Sequence, residues 1–187
     1  GPAWIPAQRK EVPAIHFPYF RDGQLVNIKY RTLDKEFAQT KNAEKVLYGL
    51  DDIAGQETVI IVEGELDKLS LAEIGYDNAV SGPDGAQEHK GDQEIIPEND
   101  KAFAFLWNCK DELAGAKKII LAGDNDRAGR PFMDEIARRI GKERCWRVTW
   151  PGLGDAPRKD ANEVLVHDGP AVLREVIENA QPYPIKS

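Results

Sequence analysis

The apolar positions of the chain fall into short unbroken runs and longer amphipathic stretches. Residues 58–62 and 118–122 are continuous and rich in β-branched side chains, a pattern typical of strands buried on both faces of a parallel sheet. Two shorter strands are predicted at 79–81 and 145–150. The predicted helices cover 66–74, 101–114, 130–140 and 170–180. Because strands and helices alternate, we predict an α/β fold with a mostly parallel sheet flanked by helices.

The first fifty residues follow a different pattern. Residues 1–13 contain three prolines and are predicted to be a linker or arm. Two β-prone runs flank Asp22-Gly23, which predicts a hairpin. The predicted organisation is therefore a linker at 1–13, a small mixed β-rich basic subdomain at 14–55, the sheet domain at 56–151, and a C-terminal segment with a helix at 152–187.

Charge is distributed unevenly along the chain. The 187 residues carry a net charge of −7, which argues against nucleic-acid binding by bulk electrostatics alone. Residues 1–50, however, hold eight Lys or Arg and five Asp or Glu. The sequence thus combines a basic front with an acidic remainder. Its two cysteines favour a reducing compartment, and no apolar run is long enough to span a membrane.

Acidic residues follow both buried strands directly. Glu63 comes after the first, and Asp124 and Asp126 come after the second. The carboxyl ends of parallel strands meet at one sheet edge, where α/β folds bind ligands. Carboxylate oxygens are the ligands that Mg²⁺ prefers. We therefore predict a metal-dependent phosphate site at this edge.

Asp67 and the two aspartates that follow the second strand also have an ordinary structural explanation. Asp67 falls in the first turn of a predicted helix, where a negative charge suits the helix dipole whether or not a metal is bound. The Asp124-Asn125-Asp126 run also fits a solvated turn between a strand and a helix. Glu63 has no comparable explanation, because a carboxylate at the end of a buried strand is costly unless it is paired.

Several motifs together resemble one family. The runs VEGELDKL at 62–69, SGPDGA at 81–86 and KDANE at 159–163 are similar to the Toprim primase domain of phage-type primase-helicases. Residues 141–151 and 105–109 resemble the plant organellar Twinkle branch of that family especially closely. The resemblance covers about residues 15–185.

The resemblance implies a function and a set of acidic residues. Glu63, Asp124 and Asp126 would be the catalytic, metal-binding acids, with Asp67 and Asp160 as supporting ligands. The cofactor would be Mg²⁺ or Mn²⁺. The reaction would be nucleotidyl transfer, which makes short RNA primers from ribonucleoside triphosphates on a single-stranded DNA template.

The resemblance also gives the basic residues a role. Lys29 and Arg31 share one face of a predicted strand because they are two residues apart. Residues of this kind would hold triphosphate and template phosphates. An ordinary solvated strand face explains the same pattern without a ligand. The candidate nucleotide or nucleic-acid contacts are Lys29, Arg31, Lys35, Lys41 and Lys159.

Two other functions fit the same motifs. The chain could be a catalytically reduced Toprim module that only grips single-stranded DNA, or a metal-dependent Toprim nuclease. The chain has too few cysteines for a zinc ribbon and lacks the phosphate-binding loop of a helicase motor. The resemblance implies that a helicase domain is part of the full-length protein. No membrane association is expected. A mitochondrion or plastid and a bacterial or phage-host cytoplasm both fit as its location.

Overall fold

The described residues form two sheets, each with its own topology. The computed structural model describes residues 1–87, 91, 93–152 and 157–185. The strands found within these residues are β1 Pro2–Ile5, β2 Lys10–Arg21, β3 Gln24–Thr32, β4 Phe37–Gln39, β5 Thr58–Val62, β6 Ala79–Ser81, β7 Lys118–Leu121, β8 Cys145–Arg147 and β9 Gln181–Pro182. The α-helices are α1 Glu65–Glu73, α2 Ala104–Asn108, α3 Lys110–Ala114, α4 Gly129–Ile140, α5 Ala161–His167 and α6 Pro170–Glu178.

The larger sheet has the strand order β6-β5-β7-β8-β9. Its first four strands run parallel, with Ile60 of β5 opposite Ile120 of β7, and β9 adds an antiparallel edge. The prediction of an α/β fold with a mostly parallel sheet is therefore confirmed. The acidic residues that follow β5 and β7 are brought to the same edge by this parallel pairing.

Both faces of this sheet are covered. Side chains alternate across a strand, so Ile60 and Val62 enter one core with α1, α5 and α6. Val59 and Ile61 enter the other core, which holds α2, α3 and α4. Coverage on both faces explains why β5 is apolar from Val59 to Val62.

The smaller sheet is antiparallel, in the order β1-β2-β3-β4. The predicted hairpin is confirmed as β2 and β3, which are joined by Asp22 and Gly23 with φ values of 51° and 74°. Two positive φ values in succession are the conformation that Asp-Gly favours in tight hairpins. Phe17 and Tyr19 of β2 are buried in the core beneath β5, so the two sheets share apolar packing.

Residues 1–13, expected to be a linker, instead form β1 and the start of β2. Their prolines are tolerated because they occupy positions without ladder hydrogen bonds. Pro2 lies opposite Pro13, and the bond beside this pair runs from the Ala14 N–H to the Gly1 carbonyl. The number of prolines in a segment does not predict whether they occupy positions that need no ladder hydrogen bond.

Three elements differ in extent from the prediction. The helix expected at 101–114 is two short helices separated by buried Cys109, whose Sγ accepts the Leu47 N–H at 3.4 Å. The strand expected at 145–150 ends at Arg147. The C-terminal segment holds α5, α6 and β9 rather than one helix; its residues 153–156 and 186–187 lie outside the described part of the chain.

Candidate metal site

Three carboxylates converge at the carboxyl edge of the larger sheet. Asp67 lies in the first turn of α1, Asp124 follows β7, and Asp160 immediately precedes α5. One oxygen from each lies within 4.8 Å of the others. Three different elements therefore direct negative charge at one small volume.

Asp67 is the most buried of the three. It is 7% exposed, and its Oδ1 accepts the Asn162 N–H at 3.0 Å. Burial raises the pKa of this carboxyl, and the nearby charge of Asp160 raises it further. A buried carboxylate beside like charges is costly unless a cation neutralises it.

Asp160 and Asp126 each accept backbone N–H groups where a helix begins. Asp160 Oδ1 accepts the Glu163 N–H at 2.8 Å as the N-cap of α5. Asp126 Oδ1 accepts the N–H groups of Ala128 and Gly129 at 2.9 and 2.8 Å, at the start of α4. The pKa of Asp126 is lowered, chiefly by the hydrogen bond from the Gly129 N–H. Asp126 is thus held as a carboxylate at the rim of the site.

Glu63 lies beside the cluster and accepts a hydrogen bond from the backbone of Asp124. Its Oε1 accepts the Asp124 N–H at 2.9 Å. Burial, followed by the charge of Asp124, raises the pKa of Glu63 to about 7. The geometry therefore groups Asp67, Asp124 and Asp160 most tightly. Glu63 is bonded to the Asp124 backbone, and Asp126 shares the Lys159 ammonium with Asp124.

Lys159 faces this acidic cluster. Its Nζ lies 2.8 Å from Asp124 Oδ2 and 3.4 Å from Asp126 Oδ2. Hydrogen bonding and charge from Asp124 raise the pKa of the Lys159 ammonium. Burial raises the pKa of Asp124, and Lys159 acts in the opposite direction. The residue predicted to contact nucleotides therefore also contacts the predicted metal-binding acids.

The donor set fits a hard divalent cation. All three converging groups are carboxylates, and two more carboxylates flank them. Mg²⁺ and Mn²⁺ take oxygen ligands of this kind and retain water positions for substrate phosphates. Burial is the main cause of the raised pKa values of Asp67 and Glu63, and the neighbouring carboxylates raise them further.

Lys29 has a different partner from the one predicted. Its Nζ lies 2.7 Å from Oε1 of Glu65, and that oxygen also accepts the Tyr19 hydroxyl at 2.5 Å. Lys29 and Glu65 are both buried. This bond joins β3 to the start of α1, so Lys29 fixes the small sheet against the helix that carries Asp67.

The other predicted basic residues lie nearer the surface. Arg31 of β3 is half-buried and pairs in register with Ile15 and Phe37. Lys35 and Lys41 are exposed. The strand places Lys29 and Arg31 on one face, as predicted, but the two side chains differ in burial.

Three contributors were missed by the sequence interpretation. Glu65 anchors Lys29, Asn162 binds Asp67 through its N–H, and Gly129 allows close approach of two chain segments. A Cβ on Gly129 would lie 2.3 Å from both Glu63 Oε1 and the Asp124 carbonyl. Glu65 and Asn162 are within the motifs at 62–69 and 159–163, so a search of those motifs for supporting polar residues could have found them.

A family model agrees with this arrangement. Residues 57–149 match the model described as Toprim domain. The chain carries a Toprim domain. The family resemblance inferred from the motifs is thereby confirmed. Toprim domains bind divalent metals, in agreement with the acidic cluster.

Two curated relatives come from Arabidopsis thaliana. The first, "Primase homolog protein", is 52% identical over 175 residues, which cover 92% of this chain and 52% of the relative. The second, "Twinkle homolog protein, chloroplastic/mitochondrial", is 51% identical over 173 residues, which cover 91% of this chain and 24% of the relative. The chain thus spans about half of one relative and about a quarter of the other.

A solved structure shares the fold of this Toprim-containing chain. It is the primase fragment of the bacteriophage T7 primase-helicase protein, with a TM-score of 0.68 and 26% identity over 87% of this chain and 61% of the other. The Toprim domain of this chain is therefore related to that of a phage primase-helicase. Within the described residues, no helix has both the length and the apolar character required to cross a membrane.

Proposed function

We propose that this chain is a DNA primase core that synthesises short RNA primers on single-stranded DNA. The carrying observation is the convergence of Asp67, Asp124 and Asp160 within a Toprim fold. Mg²⁺ or Mn²⁺ held there would activate the attacking 3′-hydroxyl and stabilise the leaving pyrophosphate. Asp67, Asp124 and Asp160 would be the principal ligands, with Glu63 and Asp126 completing the acidic set.

The protein residues would position the reactants for this transfer. Asp126 is held as a carboxylate by the first N–H groups of α4, so it presents a fixed acceptor beside Asp124. The Glu63 bond to the Asp124 N–H fixes the loop that carries both aspartates. Such positioning accounts for much of the rate increase in phosphoryl and nucleotidyl transfer.

The surroundings of Asp124 offer room for a nucleotide. A cavity of about 540 Å³ beside it is lined by Asp124, Arg130, Arg147, Thr149 and Trp150, among others. Pockets of this size accept small polar ligands. Arg31, Lys35 and Lys41 would bind template or nucleotide phosphates from the small sheet. Lys29 would act indirectly, by holding that sheet against α1.

The partners follow from the same proposal. Single-stranded DNA and ribonucleoside triphosphates would be the substrates. A helicase domain would accompany this chain in the full-length protein, as suggested by the "DNA helicase/primase" of Enterobacteria phage T3, which is 28% identical to this chain over 168 residues. The chloroplastic/mitochondrial name of the Twinkle homolog supports an organellar location.

One incubation tests the proposal. The chain is mixed with a single-stranded template, radiolabelled ribonucleotides and Mg²⁺ or Mn²⁺, and products are separated on a denaturing gel. We expect short RNA from the wild-type chain, loss of product for Asp124→Asn, and normal product for Asp111→Asn, which removes an exposed acid on α3. Template binding without RNA would favour a binding module, and template shortening would favour a nuclease.

A further inference from the structure

The ammonium of Lys159 contacts carboxylates that would also hold a bound cation. It contacts Oδ2 of both Asp124 and Asp126, at 2.8 and 3.4 Å. Asp124 is one of the three converging metal-site acids. A divalent ion coordinated by Asp124 Oδ2 would therefore meet a positive charge already paired with that oxygen.

The backbone of Lys159 is fixed, whereas the end of its side chain is not enclosed. Its carbonyl accepts the Asn125 N–H at 2.7 Å, which ties it to the Asp124–Asp126 loop. Its own N–H donates to the Glu163 carboxylate. The side chain is nevertheless 50% exposed, compared with 14% for Asp124. Lys159 can therefore move its ammonium without disturbing the acidic loop.

We propose that the Lys159 ammonium competes with the divalent cation for Asp124. When a nucleotide binds, the ammonium moves to the triphosphate. The nucleotide half of this inference rests on the proposed primase function. Metal binding would displace the Lys159 ammonium from Asp124 and expose it to solvent. An incoming triphosphate would then give the ammonium a new anionic partner. Each ligand would then promote binding of the other, because coupling between two sites is reciprocal.

This exchange requires the Lys159 charge to weaken metal binding and to strengthen nucleotide binding. An ammonium and a metal ion close to the same oxygen repel each other, so removing the ammonium tightens metal binding. Removing it also deletes one cationic contact to the triphosphate and weakens nucleotide binding. A residue with only a structural role would not shift the two affinities in opposite directions.

The experiment compares three variants by calorimetric titration with Mn²⁺ in the absence of nucleotide. Lys159→Gln removes the charge, Lys159→Arg retains it, and Lys117→Gln removes a 75%-exposed lysine just before β7. Lys117 lies at the opposite end of that strand from Asp124, about 20 Å away at the rise of an extended chain. Thermal melts followed by circular dichroism establish that each variant is folded.

We expect Lys159→Gln to bind Mn²⁺ about tenfold more tightly than the wild type, within the usual range of site–site coupling. Lys159→Arg and Lys117→Gln should match the wild type. Unchanged or weaker Mn²⁺ binding by folded Lys159→Gln would overturn the competition, as would an equal gain in Lys117→Gln.

The nucleotide half is measured separately, with a fluorescent ATP analogue at saturating Mg²⁺. Anisotropy should show weaker binding by Lys159→Gln and normal binding by Lys117→Gln. Equal nucleotide affinity in both variants would overturn the transfer to the triphosphate. The Mn²⁺ titration does not depend on primer synthesis, so failure of the primase proposal and failure of the competition are distinguishable.

Discussion

Glu63 Oε1 lies against the Cα of Gly129, in a gap that a side chain at position 129 would fill. A Cβ there would be 2.3 Å from that oxygen and 2.3 Å from the Asp124 carbonyl. The same Glu63 oxygen accepts the Asp124 N–H. The absence of a side chain at the start of α4 therefore lets Glu63 reach the loop that carries Asp124 and Asp126.

Gly129→Ala should destabilise the fold and displace the acidic loop. We expect a loss of about 1–3 kcal/mol, the usual cost of overpacking, and weaker Mn²⁺ binding. Gly115→Ala is the matched control, because nothing lies within 4 Å of its added Cβ and its φ is −73°. Urea unfolding measures the free energy. Equal stabilities for the two variants would show that the loop near Gly129 relaxes freely.

Asp160→Asn should separate helix capping from metal binding. Asn caps helices about as well as Asp, so the α5 cap should survive. The metal-free variant should not lose stability, because the substitution removes a negative charge beside buried Asp67. Removing the charge takes away one converging carboxylate and should weaken Mn²⁺ binding. Calorimetry and thermal melts measure the two effects independently. Unaltered metal affinity would restrict Asp160 to a capping role.

The metal-free protein should lose stability as pH rises from about 4.5 to 7. The pKa of Glu63 rises from 4.5 to about 7 on folding, and the pKa of Asp67 is also raised. Between the ordinary and raised values the folded state binds more protons than the unfolded state, so raising the pH favours unfolding. Melts in chelator should show a falling Tm, at about 2–4 °C per kcal/mol for a chain of this size.

Glu63→Gln provides the control for this pH dependence. Its side-chain oxygen still accepts the Asp124 N–H, but it no longer titrates, so the fall in Tm should be shallower. Added Mg²⁺ should raise the Tm more at pH 8 than at pH 6, because metal binds the deprotonated acids. A Tm that rises across this range in chelator would contradict the prediction.

Lys29→Met should destabilise the fold by about 3 kcal/mol or more, because it leaves Glu65 buried without its cation. Replacing both partners, as Lys29→Met with Glu65→Gln, should recover part of that loss. Lys10→Met, at an exposed position of β2, should be nearly neutral. Denaturant unfolding of these variants, of Glu65→Gln alone and of the wild type measures the coupling between the two side chains. A stable Lys29→Met chain with weakened nucleotide binding would instead support direct phosphate contact by Lys29.

Removing charge from the surface of the small sheet should weaken DNA binding. The triple variant Arg31→Gln, Lys35→Gln, Lys41→Gln is compared with Lys101→Gln, Lys110→Gln, Lys117→Gln, whose positions are exposed like those of Lys35 and Lys41. Both variants lose three charges. Only the first should lower affinity for single-stranded DNA and reduce the salt dependence, by up to about 0.7 in slope for each lost phosphate contact. Fluorescence anisotropy across a salt series gives both quantities, and equal losses would indicate a nonspecific charge effect.

The sequence predicted the fold best where a residue pattern is compatible with a single local structure. The apolar runs of β5 and β7 required burial on both faces, and this predicted the parallel sheet. Asp22-Gly23 required a turn with positive φ, and this predicted the hairpin. Prolines were less informative, because their effect depends on which amides need partners; residues 2–5 therefore form a strand where a linker was expected.

For the site, the sequence by itself determined that Glu63, Asp124 and Asp126 follow buried strands at one edge of a sheet. Only the tertiary structure decided that Asp67 and Asp160, 93 residues apart in the chain, share a small volume with Asp124. It also decided that Lys29 is buried against Glu65 and that Lys159 faces the acids. Local patterns fix which element a residue occupies, but partner choice depends on how α1, α5 and the two sheets pack together.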